Sequence, residues 1–217
     1  MPERVVIITG ATGGLGPSVV ERFRRNDDTI VTVARKGAEI SADLTNPSAA
    51  AGVVRQVVET HGRIDVLVHV MGGFAADGDV EATTDETWQK MISLNLMPAV
   101  YLFRAAIPLM KSAGHGSIVA VGSKAGADPG PGTSAYAASK AALHALVQSA
   151  AKELRSSGVT INAVLPGTIR TDANASWATP EQMATFVDPA TVAEVIFFLA
   201  SKSDTDITGV LVPVDGS

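Results

Sequence analysis

Tyr136 and Lys140 lie four residues apart in the alanine-rich stretch "SAYAASKAAL". On a helix this spacing stacks a phenol and an ammonium on one face, one turn apart and within reach of a common target. A phenol with a pKa of roughly 10 is a poor acid-base group at neutral pH, and a cation beside it stabilises the phenolate. The same spacing also occurs on plain helices, as one aromatic and one solvated charge. The rest of the chain decides between the two.

Near the N-terminus the apolar run "VVIIT" leads into "TGATGGLG", Thr9 to Gly16, after which helical spacing begins. Gly10, Gly14 and Gly16 let the backbone turn tightly and approach a pyrophosphate, whose charge is met by the amides and dipole of the following helix. A dinucleotide held there would lay its adenosine ribose at the end of the second strand. An acidic residue at that point suits two ribose hydroxyls, and a basic one suits a 2′-phosphate. The residues are Ala34, Arg35 and Lys36, so NADP(H) is favoured over NAD(H); the alternative is two solvated loop charges.

Six short, β-branched apolar runs start at Val5, Thr29, Asp65, Ser117, Thr160 and Val210. Their near-continuous hydrophobicity is that of strands covered on both faces. Between them the spacing predicts helices over Leu15 to Asn26, Pro47 to His61, Thr84 to Ser112, Ser134 to Ser157 and Pro189 to Ser201. Alternating strands and helices imply right-handed crossovers and a parallel sheet between helical layers. One connection is short: only "RKGAEISA" separates the second strand from "DLTN", so the third strand is either a stub or displaced.

Composition narrows the partners. With 217 residues, 46% hydrophobic, the chain reads as a single domain, residues 1–217. A net charge of −5 argues against nucleic acid and acidic membranes, and no apolar run reaches the roughly 18 residues of a membrane span. The absence of cysteine excludes disulfides and thiolate chemistry and fits a reducing compartment. His61, His69, His115 and His144 show no metal-ligand spacing, so no metal is expected, and the default location is cytoplasmic.

Taken in order, these motifs resemble the short-chain dehydrogenase/reductase family over essentially the whole chain. "TGATGGLG" is similar to its Thr-Gly-x-x-x-Gly-x-Gly loop, here Gly10, Thr12, Gly13, Gly14, Leu15 and Gly16. "ADLTN" resembles its adenine-contacting turn, carried by Asp43 and Leu44; "SLNL" supplies Asn95, "VGSKAG" supplies Ser123, and "YAASK" supplies Tyr136 and Lys140. "LPGTIRT" supplies Pro166, Gly167, Thr168, Ile169 and Thr171, which in the family line the nicotinamide. The resemblance implies a Rossmann-type doubly wound α/β fold of about seven strands, order 3-2-1-4-5-6-7. It also implies a hydride transfer between nicotinamide C4 and a small carbonyl or alcohol substrate. Tyr136 would be the acid-base group, Lys140 would lower its pKa and hold the nicotinamide ribose, Ser123 would hold the substrate oxygen, and Asn95 would position a relay water. Long helices packed on symmetry mates would make a homodimer or homotetramer.

Some residues depart from that family's pattern. Its Asn-Asn-Ala-Gly is replaced by "HVMGG", which keeps Gly72 for the cofactor, puts Met71 beside it and leaves His69 to hydrogen-bond in place of asparagine or to cap the strand end. "MGGFAADG" and "DANASWATPEQM" resemble the compact dihydropteridine reductase branch, although Arg35 and Ser123 do not fit it; pterin reduction is therefore one alternative, and a non-catalytic dinucleotide-binding regulator another. Residues Thr171 to Phe186 are expected to form a short substrate lid carrying Trp177, and His144 to pack the helix or a subunit interface.

Overall fold

The computed structural model describes residues 4–201 and 207–216. Seven parallel strands form one sheet in the order β3-β2-β1-β4-β5-β6-β7. They are β1 (Val5–Thr9), β2 (Thr29–Ala34), β3 (Ile40–Ser41), β4 (Val66–His69), β5 (Gly116–Val121), β6 (Val159–Pro166) and β7 (Leu211–Val214). Every residue of β1 and β6 is buried, as their unbroken apolar runs require.

Alternation along the strands sends successive side chains into two cores. Ile7, Leu67, Ile118 and Ile161 pack beneath α2 (Pro47–His61), α4 (Met97–Ala113) and α5 (Ser134–Glu153). Ile8, Val68, Val119 and Val164 pack beneath α1 (Gly16–Arg24) and α8 (Pro189–Ala200). Helix α3 (Asp85–Asn95) packs on α4 and α5. Helices α6 (Asp172–Ala175) and α7 (Pro180–Ala184) are short turns within the expected lid.

Two expectations are refined. The third strand is a stub: β3 pairs two residues with Val33 and Ala34, and a loop replaces the crossover helix. The single helix expected from Thr84 to Ser112 is instead α3 and α4, broken at Leu96 (φ −114°, ψ −54°), two residues before Pro98, which has no N–H to continue the ladder. By length and composition alone the stretch Asp85–Ala113 is apolar and long enough to cross a membrane, a test that the core helix of a globular fold also passes. Its inward residues Met91, Asn95, Leu102 and Met110 are fully buried in this fold.

At the edge of the sheet where the parallel strands begin, Asp65 staples three strands. Its carboxylate accepts from Val5 N–H (2.8 Å) and Arg63 Nε (3.0 Å), and lies 2.8 Å from His115 Nε2. Burial pushes this carboxyl up, but the hydrogen bonds from Arg63, Val5 and His115 outweigh it and hold it below its ordinary 3.8. A depressed carboxyl stabilises the fold above its ordinary value and loses that contribution as pH falls through the folded value. Asp65→Ala is expected to cost about 1–3 kcal/mol at neutral pH by stranding the Val5 amide. In denaturant titrations the deficit should shrink as pH is lowered below about 4.

Candidate active site

Strands β1 and β4 are neighbours whose following segments leave to opposite faces of the sheet, the arrangement that opens a ligand crevice at the carboxyl ends of parallel strands. The crevice here is a cleft of ≈ 1920 Å³. Its floor is the glycine loop. Gly10 sits at φ +68°, and a Cβ there would lie 2.7 Å from Met71 N; one on Gly16 would collide with the Ala11 carbonyl beneath the loop. Gly13 N–H donates to Gly10 O (3.0 Å) and Gly16 N–H to Gly13 O (3.1 Å), so the loop winds directly into α1. A tight backbone cradle at a helix N-terminus, with Arg35 and Lys36 lining the far end, fits a phosphate-bearing dinucleotide.

Most residues singled out in the sequence line this cleft: Gly10, Thr12, Gly13, Gly14, Leu15, Arg35, Leu44, Met71 and Gly72, together with Ser123, Tyr136, Lys140, Pro166, Gly167, Thr168, Ile169 and Thr171. Three are not among the residues lining it. Gly16 is buried under the loop, Asn95 is buried behind Gly72 and Gly73, and Asp43 is turned onto its own turn. Asp43 accepts from Thr45 Oγ1 (2.7 Å) and Thr45 N–H (3.0 Å), bonds that keep its carboxyl below the ordinary value.

Ser123 follows β5 in an extended conformation, and its Oγ accepts from Ala125 N–H at 3.2 Å. Tyr136 opens α5 with its ring half-buried, 5.0 Å edge-to-face from Phe74. Lys140 is 4% exposed, and its Nζ donates to Val121 O at 2.9 Å. Burial lowers this ammonium to about 8. The phenol behaves differently from the expectation that a nearby cation lowers it: burial raises Tyr136 above its ordinary value, and the hydrogen bond with Ser123 only partly offsets that. The Asn95 carboxamide is fully engaged, accepting from Gly73 N–H (2.9 Å) and donating to Gly73 O (3.0 Å) and Ser139 Oγ (3.0 Å). A Cβ on Gly72 would touch both Asn95 Oδ1 (2.9 Å) and Lys140 Nζ (3.1 Å), so these two flank the same glycine.

His69 does hydrogen-bond: Nδ1 meets Thr9 Oγ1 at 3.0 Å across the β1–β4 pair. Its Nε2 is buried with no partner among the described residues, and burial, then the Lys140 charge, lowers its pKa to about 3, so the ring is neutral. Sequence reading gave no role to Phe74, Lys124 or Asp215, which also line the cleft. Lys124 Nζ and Asp215 Oδ1 pair at 2.9 Å across 91 residues, a closure that no local spacing signals. Trp177 lines the cleft from the expected lid and leans on Phe186 at 5.8 Å.

The sequence model of the family described as short chain dehydrogenase matches residues 4–182. Short-chain dehydrogenase/reductase cdmF of Talaromyces verruculosus is 31% identical, covering 99% of this chain and 96% of that one. The 3-oxoacyl-(acyl-carrier-protein) reductase FabG of Thermotoga maritima is 32% identical, covering 98% and 96%. Among solved structures, ElxO with NADP bound superimposes with a TM-score of 0.91 at 27% identity, covering 99% of this chain and 98% of that one.

Burial of Lys140 has a measurable consequence. An ammonium held at about 8 in place of 10.5 costs stability at every pH below 8, and the cost fades as pH rises toward 10.5. Lys140→Met is therefore expected to stabilise the nucleotide-free protein at pH 7 by up to about 3 kcal/mol, with the gain vanishing near pH 10.5. Thermal unfolding across that pH range measures it.

Proposed function

The chain belongs to the short chain dehydrogenase family and is a nicotinamide-dependent oxidoreductase acting on small molecules, and on that premise we propose that it is an NADP(H)-dependent carbonyl reductase or alcohol dehydrogenase. The observation that carries this reading is the meeting of Ser123, Tyr136 and Lys140 on one wall of the cleft floored by the glycine loop. A non-catalytic dinucleotide sensor has no use for that convergence. Pterin reduction is not proposed, because Arg35 and Ser123 do not fit the dihydropteridine reductase pattern and the cleft adds nothing in its favour.

The roles follow from the contacts. Ser123 Oγ accepts from Ala125 N–H, and its own proton, which bonds Tyr136 before a substrate enters, can turn to a substrate oxygen placed beside the phenol. Tyr136, raised by burial, holds its proton at neutral pH, the state needed to protonate the oxygen of a carbonyl being reduced. Lys140 is the adjacent cation that stabilises the phenolate left behind, and it is placed to meet the cofactor ribose. Asn95 serves the proton relay behind Lys140 by fixing the Gly72–Gly73 backbone. The bound nicotinamide supplies or accepts the hydride. Arg35, which follows β2 and lines the cleft, is assigned to the 2′-phosphate.

Phe74 (64% exposed) and Trp177 (59% exposed) both line this cleft. Two large apolar rings left exposed in one cleft suit a planar or hydrophobic carbonyl compound. We take residues 1–217 as a single domain acting in the cytoplasm as a homodimer or homotetramer; the partly exposed Leu109 on α4 supports a helix-face contact between copies.

Tyr136→Phe is expected to cut NADPH-dependent ketone reduction by about a hundredfold or more while NADPH affinity stays within about twofold; undiminished turnover would sink the mechanism. Arg35→Ala is expected to weaken NADPH by about tenfold or more and leave NADH nearly unchanged in binding titrations, the loss of one charge-assisted phosphate contact. Equal losses for the two cofactors would remove the 2′-phosphate assignment.

A further inference from the structure

Tyr136, Lys140 and His144 recur every four residues along α5, and only the first two have so far been given chemistry. We propose that His144 is a positioning residue for Ser123, its imidazole Nε2 accepting the Ser123 backbone N–H and so fixing where the serine hydroxyl points. This rests on the catalytic reading of Ser123 above.

The β5–β6 ladder ends one residue before the serine, where Gly122 N–H donates to Val164 O at 2.8 Å. The next amide, Ser123 N–H, lies beyond the sheet and donates to His144 Nε2 at 3.4 Å. The rest of Ser123 is tied down by its own loop, with Ala125 N–H on its Oγ and Gly126 N–H on its carbonyl (3.0 Å). His144 thus completes the restraint of the Ser123 backbone, and the hydroxyl, which accepts from Ala125 N–H and bonds Tyr136, is the group left to turn to a substrate.

The flanking glycines admit the ring. A Cβ on Gly122 would collide with His144 Nε2, and one on Gly126 would lie 2.6 Å from Cε1. At 5% exposure, simple packing would be met by an aliphatic side chain; what the imidazole adds is an acceptor aimed at an amide that has left the ladder. That role requires a neutral ring with its proton on Nδ1. Burial, and then the charge of Lys140, keep His144 neutral down to about pH 4.

The test uses the full chain with NADPH and a hydrophobic ketone. His144→Met fills similar space without the acceptor and is expected to lower kcat by about ten- to a hundredfold at unchanged NADPH affinity, the effect of a misplaced catalytic group. His144→Gln, which can return an oxygen to that place, should recover most of the loss. In a Ser123→Ala background His144→Met should cost nothing further, because its effect passes through the serine. An equal fall in that background, or wild-type kcat in His144→Met, would overturn the proposal. Nitrogen-15 NMR of the wild type supplies a reading that needs no variant: the Nδ1–H tautomer supports the bond and the Nε2–H tautomer rules it out. Full activity in Ser123→Ala would instead remove the catalytic reading of the serine, while the tautomer would still report on the hydrogen bond.

Discussion

One buried cation organises the working half of this molecule. Lys140 is brought into a dry wall between α5 and the end of β5, and its only direct protein acceptor among the described contacts is the Val121 carbonyl. An ammonium so placed is costly, and groups around it adjust to the charge. His69 and His144, on either side, are kept neutral by burial and by that charge, so both rings act as fixed hydrogen-bonding groups and not as titrating ones. Tyr136 retains its proton one turn away.

The sheet explains why these groups meet. Parallel strands put all their carboxyl ends on one edge, and the reversal of strand order beside β1 leaves a crevice there. Residues far apart in sequence, Gly10 after β1, Gly72 after β4, Ser123 after β5 and Gly167 after β6, therefore line one cleft. The opposite edge holds Asp65 and its partners, which pin β1, β4 and β5 without touching the chemistry. The charge needed for structure and the charge needed for function thus sit at opposite ends of the same strands.

Local sequence carried much of the architecture because a buried parallel strand and an amphipathic helix each leave a periodic signature. The runs at Val5, Ser117 and Thr160 were legible for that reason, and the stub β3 was foreshadowed by the eight residues between β2 and "DLTN". The break at Leu96 was not, since the apolar spacing continues through it and only the proline two residues on hints at an end. Asn95 shows a similar limit: its type and position were visible, but the engagement of its carboxamide with Gly73 and Ser139 depends on a packing of α3 against α5 that no spacing encodes.

By itself the sequence determined which residue types are available and in what order: a glycine loop after the first strand, two cations after the second, then Asn95, Ser123, Tyr136 and Lys140, and through them the fold class. Only the tertiary structure decided how those groups are charged and held. The raised Tyr136, the lowered Lys140, the Lys124–Asp215 closure and the contact between His144 and Ser123 all arise from burial and from neighbours distant in the chain. Proton affinity depends on the dielectric and charges around a group, and those exist only once the strands and helices have packed.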